Sequence, residues 1–202
     1  MRILLSSLFA LVFLGCASYP RKKGFQSVET IPQEVLNPYF SDVSQDYVYK
    51  AKIDAFDKSF GGLLIVKKRG PAHHRIVFTT EMGNTLFDFT FQGDDLKINS
   101  ILKEMDRKLP INILKRDFKA LIAEYPPVLQ TFQNEEHIVT ETEILSKKHY
   151  FYSVDGRLHK IVRTANGKKR VIFLFSETKD DLAGNIQISH KNIPLTITLY
   201  RI

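Results

Sequence analysis

The chain is poor in the residues on which many enzymes and disulfide scaffolds depend. Of its 202 residues one is cysteine and none is tryptophan. A lone cysteine excludes an intramolecular disulfide. There is no Gly-x-Ser-x-Gly elbow, no His-Glu-x-x-His and no glycine loop that could cradle a phosphate, so the usual signatures of hydrolases, zinc peptidases and nucleotide enzymes are missing. A hydrolase would need Ser153 or Ser176 to converge with a histidine, and no spacing arranges that. Apart from His73-His74, the histidines (His137, His149, His159 and His190) are scattered over strand-like segments. Neighbours on a strand point to opposite faces, so His73 and His74 do not chelate one metal together. Asp94-Asp95 and Asp180-Asp181 sit beside glycine or loop residues and suit turns. No catalytic residue, metal site or cofactor is expected.

What is present begins at the N-terminus. Arg2 gives a short positive start and Ile3 to Leu14 form an apolar run broken only by Ser6 and Ser7, the layout of a secretory signal. The run is too short to span a bilayer, which takes about 20 apolar residues. It stops at Phe13-Leu14-Gly15-Cys16, which resembles a bacterial lipobox with Phe13 where Leu is usual. An exported chain whose single thiol directly follows a signal is best explained if Cys16 is acylated and anchors the protein to a membrane. The formal net charge is +7 at pH 7. Export makes nucleic acid an unsuitable partner and turns that charge toward anionic lipid.

Residues 1–15 therefore read as signal, 16–45 as lipidated N-terminus and tether, and 46–202 as one domain. The tether carries Pro20, Pro32 and Pro38 and the basic cluster Arg21-Lys22-Lys23, with one helical turn expected near Gln33 to Leu36. From Tyr47 onward the grammar is that of short strands: 47–56, 60–68, 75–80, 85–92 and 96–98, then 136–145, 149–154, 158–164, 169–175, 185–190 and 195–200. Asp155-Gly156 and Asn166-Gly167 are hairpin turns. Between the two groups, Ser100 is expected to cap a short helix to Arg107. Asn112 is expected to cap a second, in which Ile111, Leu114, Phe118, Leu121 and Ile122 share a face and Pro126-Pro127 ends it. The fold class is mainly β with some α: one curled antiparallel sheet of about eleven strands, an incomplete barrel, with the helices as a lid over an apolar cavity.

Fifteen Phe and eight Tyr supply the greasy faces. Phe78, Phe87, Phe89, Phe91, Leu114, Phe118, Phe173, Phe175, Ile197 and Leu199 are the residues expected to line such a cavity, with an ordinary packed core as the alternative. A chain of roughly sixteen carbons left in water costs on the order of 12 kcal/mol, so any acyl carrier must supply apolar surface.

The order of elements resembles the LolA/LolB lipoprotein carriers and receptors, LolB more closely because it is itself a lipoprotein. The matching segments are the lipidated Cys16, Ala51 to Phe56 before a turn, Gly61-Gly62-Leu63-Leu64-Ile65-Val66, Arg75 to Phe78, the tip Glu81-Met82-Gly83-Asn84, Thr85 to Phe89, and Leu109-Pro110 before a helix. The resemblance implies a monomer anchored in the outer membrane and facing the periplasm. Such a protein would take acylated lipoproteins or lipids from a soluble LolA-like carrier and use Met82 as a membrane-inserting tip. A binding or scaffold lipoprotein of the same fold that transports nothing is the rival implication.

Overall fold

The computed structural model describes residues 18–29 and 37–202. Cys16, the signal segment and the turn expected near Gln33 to Leu36 lie outside the described residues. Thirteen strands form one sheet: β1 (Gln26–Val28), β2 (Asp46–Ala55), β3 (Lys58–Gly70), β4 (His73–Thr79), β5 (Thr85–Gln92), β6 (Asp95–Ile101), β7 (Val128–Gln133), β8 (Ile138–Ile144), β9 (Lys147–Val154), β10 (Arg157–Ala165), β11 (Lys168–Lys179), β12 (Leu182–His190) and β13 (Leu195–Arg201). One helix, α1 (Lys108–Leu121), separates β6 from β7. The strand order is β1-β7-β8-β9-β10-β11-β12-β13-β2-β3-β4-β5-β6, and each pairing is antiparallel. The last strand thus closes onto β2 in mid-sheet, while β1 and β6 remain as edges.

Local sequence explains most of this. Along β2 the burial alternates, with Tyr47, Tyr49, Ala51 and Ile53 inward, the period of a strand with one covered face. Asp155-Gly156 and Asn166-Gly167 both adopt positive φ in consecutive positions, the backbone of a two-residue hairpin turn. Gly62 serves a different need: a Cβ there would lie 1.8 Å from the Thr79 carbonyl oxygen, so only glycine allows β3 to approach β4 so closely.

The sheet is bent around α1. Phe118 packs against Phe87 of β5 with ring centroids 5.6 Å apart, and Asp117, its neighbour on the helix, meets His190 of β12 at 2.7 Å. Five sheet positions separate β12 from β5, about 24 Å if the sheet were flat, whereas a helix with its side chains is only about 10–12 Å across. Both contacts together require curvature.

Three expectations are corrected. Among the described residues the strand count is thirteen, because β1 and β7 were not foreseen: β1 is three residues long and gains its order from pairing with β7, a long-range contact that short-range pattern does not carry. Among the described residues there is one α-helix, not two. Residues 95–101 form β6, so Ser100 lies in a strand and caps nothing; α1 begins at Lys108, and Asn112 lies inside it. Pro110 explains the earlier start, since a proline in the first helical turn forfeits no bond that the helix would otherwise make. Finally, the stretch that reads as a tether contributes to the body of the domain. Tyr19 is buried, β1 extends the sheet, and Asn37, Tyr39 and Phe40 are all 2% exposed or less. Pro38–Phe40 form a single 3-10 turn with Pro at its start, led by Asn37, whose side chain accepts from the Tyr39 amide. That signature was present in the sequence.

Candidate functional site

The ten residues expected to line a cavity do converge, and they are buried members of a single core cluster. The space expected between sheet and helix holds side chains. Phe87 has Phe78 at 5.5 Å, Phe89 stacked at 4.7 Å and Phe118 at 5.6 Å, centroid to centroid. Tyr39 fills the other side against Phe175 at 4.7 Å, with its hydroxyl donating to the Leu158 carbonyl. Burial pushes the Tyr39 phenol up to about 12. None of the ten residues lines the pocket beside them.

The pocket of most interest lies beside them, where the end of α1, the β3–β4 hairpin and the β8–β9 turn meet, with a volume of about 640 Å³. Its floor is apolar, built from Ile122, Ala123, Pro126 and Pro127 after the helix and from Ile144 and Leu145 at the end of β8. Pro126-Pro127 forbids the helix to continue, and the chain turns away to leave this recess. Asn37 secures the corner: its amide donates to the Leu121 carbonyl at 2.8 Å, and its backbone N–H donates to the Glu124 carbonyl at 3.0 Å. The Leu121 carbonyl at the end of α1, which would otherwise lack a partner, is thereby satisfied.

The rim is charged. Lys68 Nζ lies 2.6 Å from Glu124 Oε2 and donates to the Ser41 carbonyl at 2.9 Å. Lys119 faces Asp94 at 3.3 Å. His74, nearly fully buried, sits 3.0 Å from the Phe40 carbonyl, which can only accept, so Nε2 carries the proton. Burial holds the His74 pKa below its ordinary value, so the ring is neutral near pH 7. Glu124 Oε1, 3.5 Å from His74 Nε2, is buried without a hydrogen-bond partner among the described residues. A pocket with a greasy floor, two lysines and a half-satisfied carboxylate suits an amphiphile.

A second polar group lies inside the sheet. Thr142, His149, Arg163, Val171 and His190 are cross-strand neighbours in one continuous row over β8 to β12. Asp117 descends on that row from α1 and pairs with His190. Burial lowers the Arg163 pKa while the Asp117 charge opposes the shift. Neither this group nor the pocket was foreseen from sequence, because each is made by residues far apart in the chain.

Met82 stands at the tip of the β4–β5 turn and is 91% exposed. The turn is closed by the Gly83 amide donating to the Thr80 carbonyl at 2.9 Å, with Gly83 at φ +85°. Ser153 and Ser176 are not among the residues that line the pocket beside α1. Among the described residues no helix is long and apolar enough to cross a membrane.

Among solved structures, a LolA superfamily protein from Nitrosomonas europaea has the same fold, with a TM-score of 0.53 and 11% sequence identity over 85% of this chain and 86% of that one. No protein-family model matches the chain, and no curated protein matches it in sequence.

Proposed function

We propose that this chain is an exported lipoprotein that binds the acyl portion of lipids or lipoproteins and passes it to a membrane, without catalysis. The observation that supports this best is the amphipathic pocket of about 640 Å³ at the open side of a curled LolA-type sheet. That volume falls among those of ligand sites, about 300–1,000 Å³. An acyl segment would lie on Ile122, Ala123 and Ile144, and its polar end would meet Lys68, Lys119 and Glu124. Each buried CH₂ contributes about 0.8 kcal/mol, so a few methylenes on this floor give measurable affinity.

Acylated Cys16 would hold the protein at the outer membrane, facing the periplasm, where a soluble LolA-like carrier would deliver cargo. Met82 would enter the lipid interface at the transfer step; a flexible thioether does so at little cost. Anchoring raises the local concentration of the domain at its acceptor membrane, and downhill transfer needs no cofactor. The protein would act as a monomer.

The filled interior favours a second reading: a scaffold or binding lipoprotein of the same fold whose centre is closed by its own side chains. Purified protein lacking residues 1–16 separates the two. Mass spectrometry of its extract and titration with a fluorescent fatty acid should detect an acylated ligand, and Ala123→Trp, which fills the pocket floor, should abolish uptake. A domain that neither carries nor takes up such a ligand leaves only the scaffold.

A further inference from the structure

The segment that follows the lipobox is strapped to the sheet. Tyr19 and Pro20 are buried, and Tyr19 packs on Tyr150 of β9 with centroids 5.0 Å apart. Phe25 sits edge-on to Tyr152 at 5.9 Å. These rings, with Phe132, Val139 and Val162, form a small cluster separate from the main core, on the opposite face of the sheet. β1 then pairs with β7, and Gln130 Nε2 donates to Ser27 Oγ at 2.7 Å. Between the two aromatic anchors the chain makes one 3-10 turn, Arg21–Lys23, closed by Gly24 at φ +84°, and presents Arg21, Lys22 and Lys23 to solvent.

Only Ala17 separates Cys16 from Ser18, and two extended residues reach about 7 Å. A group attached to Cys16 is therefore confined close to this face, however free the peptide between them. The same outer face carries Lys160, whose Nζ lies 3.9 Å over the Tyr152 ring, and its cross-strand neighbour Leu174, which is 41% exposed. Glu135 and Glu136 border the groove next to Gly24 and offset part of the charge.

We propose that this outer face of β7 to β11, with its N-terminal strap, is the surface the domain lays on a bilayer containing anionic phospholipid. The inference rests on the reading that Cys16 is acylated. Arg21, Lys22 and Lys23 meet the headgroups, and the strap fixes which face turns to the membrane instead of letting the domain swing on a long tether. Juxtamembrane lysines and arginines gain from an anionic surface within a Debye length, and a strap this short keeps all three there.

The absence of tryptophan from the native chain makes a single introduced indole an unambiguous reporter. The mature acylated protein carrying Leu174→Trp, which stands exposed on the outer face beside Lys160, is placed on vesicles of phosphatidylglycerol and phosphatidylethanolamine containing brominated lipid. Its fluorescence should be strongly quenched. Quenching should be lost when Arg21, Lys22 and Lys23 are all changed to Gln, or when zwitterionic phosphatidylcholine replaces the anionic lipid. Met82→Trp in a second protein reports on the tip independently. An acylated, vesicle-bound protein whose Leu174→Trp signal is unquenched overturns the proposed orientation and leaves the anchor intact. A chain whose N-terminal mass shows no acyl group, and which washes off the vesicles, overturns the anchor and the orientation together.

Discussion

Asp117 on α1 and His190 on β12 face one another at 2.7 Å, with side chains 1% and 2% exposed, at the end of the row that also holds Arg163, His149 and Thr142. The pair fixes the rotation of the helix over the sheet, because no apolar neighbour could satisfy either group. Asp117→Ala should destabilise the protein by about 2–4 kcal/mol, since it leaves a buried ring nitrogen without a partner. Asp117→Asn, which keeps an accepting oxygen, should cost less. Urea denaturation of both variants measures the difference, and equal losses would remove the pair from this role.

A titration should expose the interior row. Burial holds His149 at about 4, against an ordinary value of 6.5. Above pH 6.5 the ring is neutral in the folded and the unfolded chain and contributes nothing. Between about 6.5 and 4 the unfolded chain takes up a proton that the folded chain refuses, so stability declines as pH falls, by up to about 3 kcal/mol, and the loss levels off below the folded value. His159, also held at about 4, adds a smaller share because its ring is less buried. Urea midpoints measured across this window should fall less steeply in His149→Gln than in the native protein.

Adjacent glycines on β3 should behave differently. A Cβ on Gly62 would strike the Thr79 carbonyl oxygen, whereas one on Gly61 meets nothing within 4 Å. Gly62→Ala should therefore cost about 1–3 kcal/mol as β3 and β4 are forced apart, and Gly61→Ala should stay within about 0.5 kcal/mol of the native protein. Thermal melts of the two variants check this directly.

Phe118→Ala probes whether the centre can accept hydrocarbon. Removing this fully buried ring should cost about 3–5 kcal/mol in the unliganded protein. If the interior admits an acyl chain, a long-chain fatty acid should restore part of that loss in a melting experiment, and should restore more of it than in the native protein. Absence of any rescue favours the closed scaffold.

At the exposed tip, Met82→Asp should leave stability within about 0.5 kcal/mol of the native value, because the side chain touches little. Transfer of labelled lipoprotein to vesicles should fall. Unchanged transfer would remove Met82 from the delivery step.

The strands were legible because their period is local. Tyr47 to Ile53 and Phe87 to Phe91 alternate within a few residues, and Asp155-Gly156 and Asn166-Gly167 name their turns. The amphipathic face of α1 was equally plain through Leu114, Phe118 and Leu121, although Pro110 placed its start four residues before the expected cap. The candidate site was legible only as composition. That ten apolar residues would meet followed from periodicity, but whether they would enclose a void depended on Tyr39 and Phe40, which arrive from a segment that reads as linker and fill the space. The pocket that is present lies at the corner beside them, lined by the residues after α1 and the end of β8.

The sequence alone determined the alternation of inward and outward residues, the hairpin turns, the amphipathic helix and the expectation of an acylated N-terminus, all of which rest on chemistry within a span of a few residues. Tertiary structure alone decided that β13 closes onto β2, that Asn37 caps α1, that Asp117 finds His190 and that the N-terminal strap lies on the outer face. Each of these joins residues distant in the chain, and such contacts are selected by burial and hydrogen-bond satisfaction over the whole fold, which no local pattern encodes.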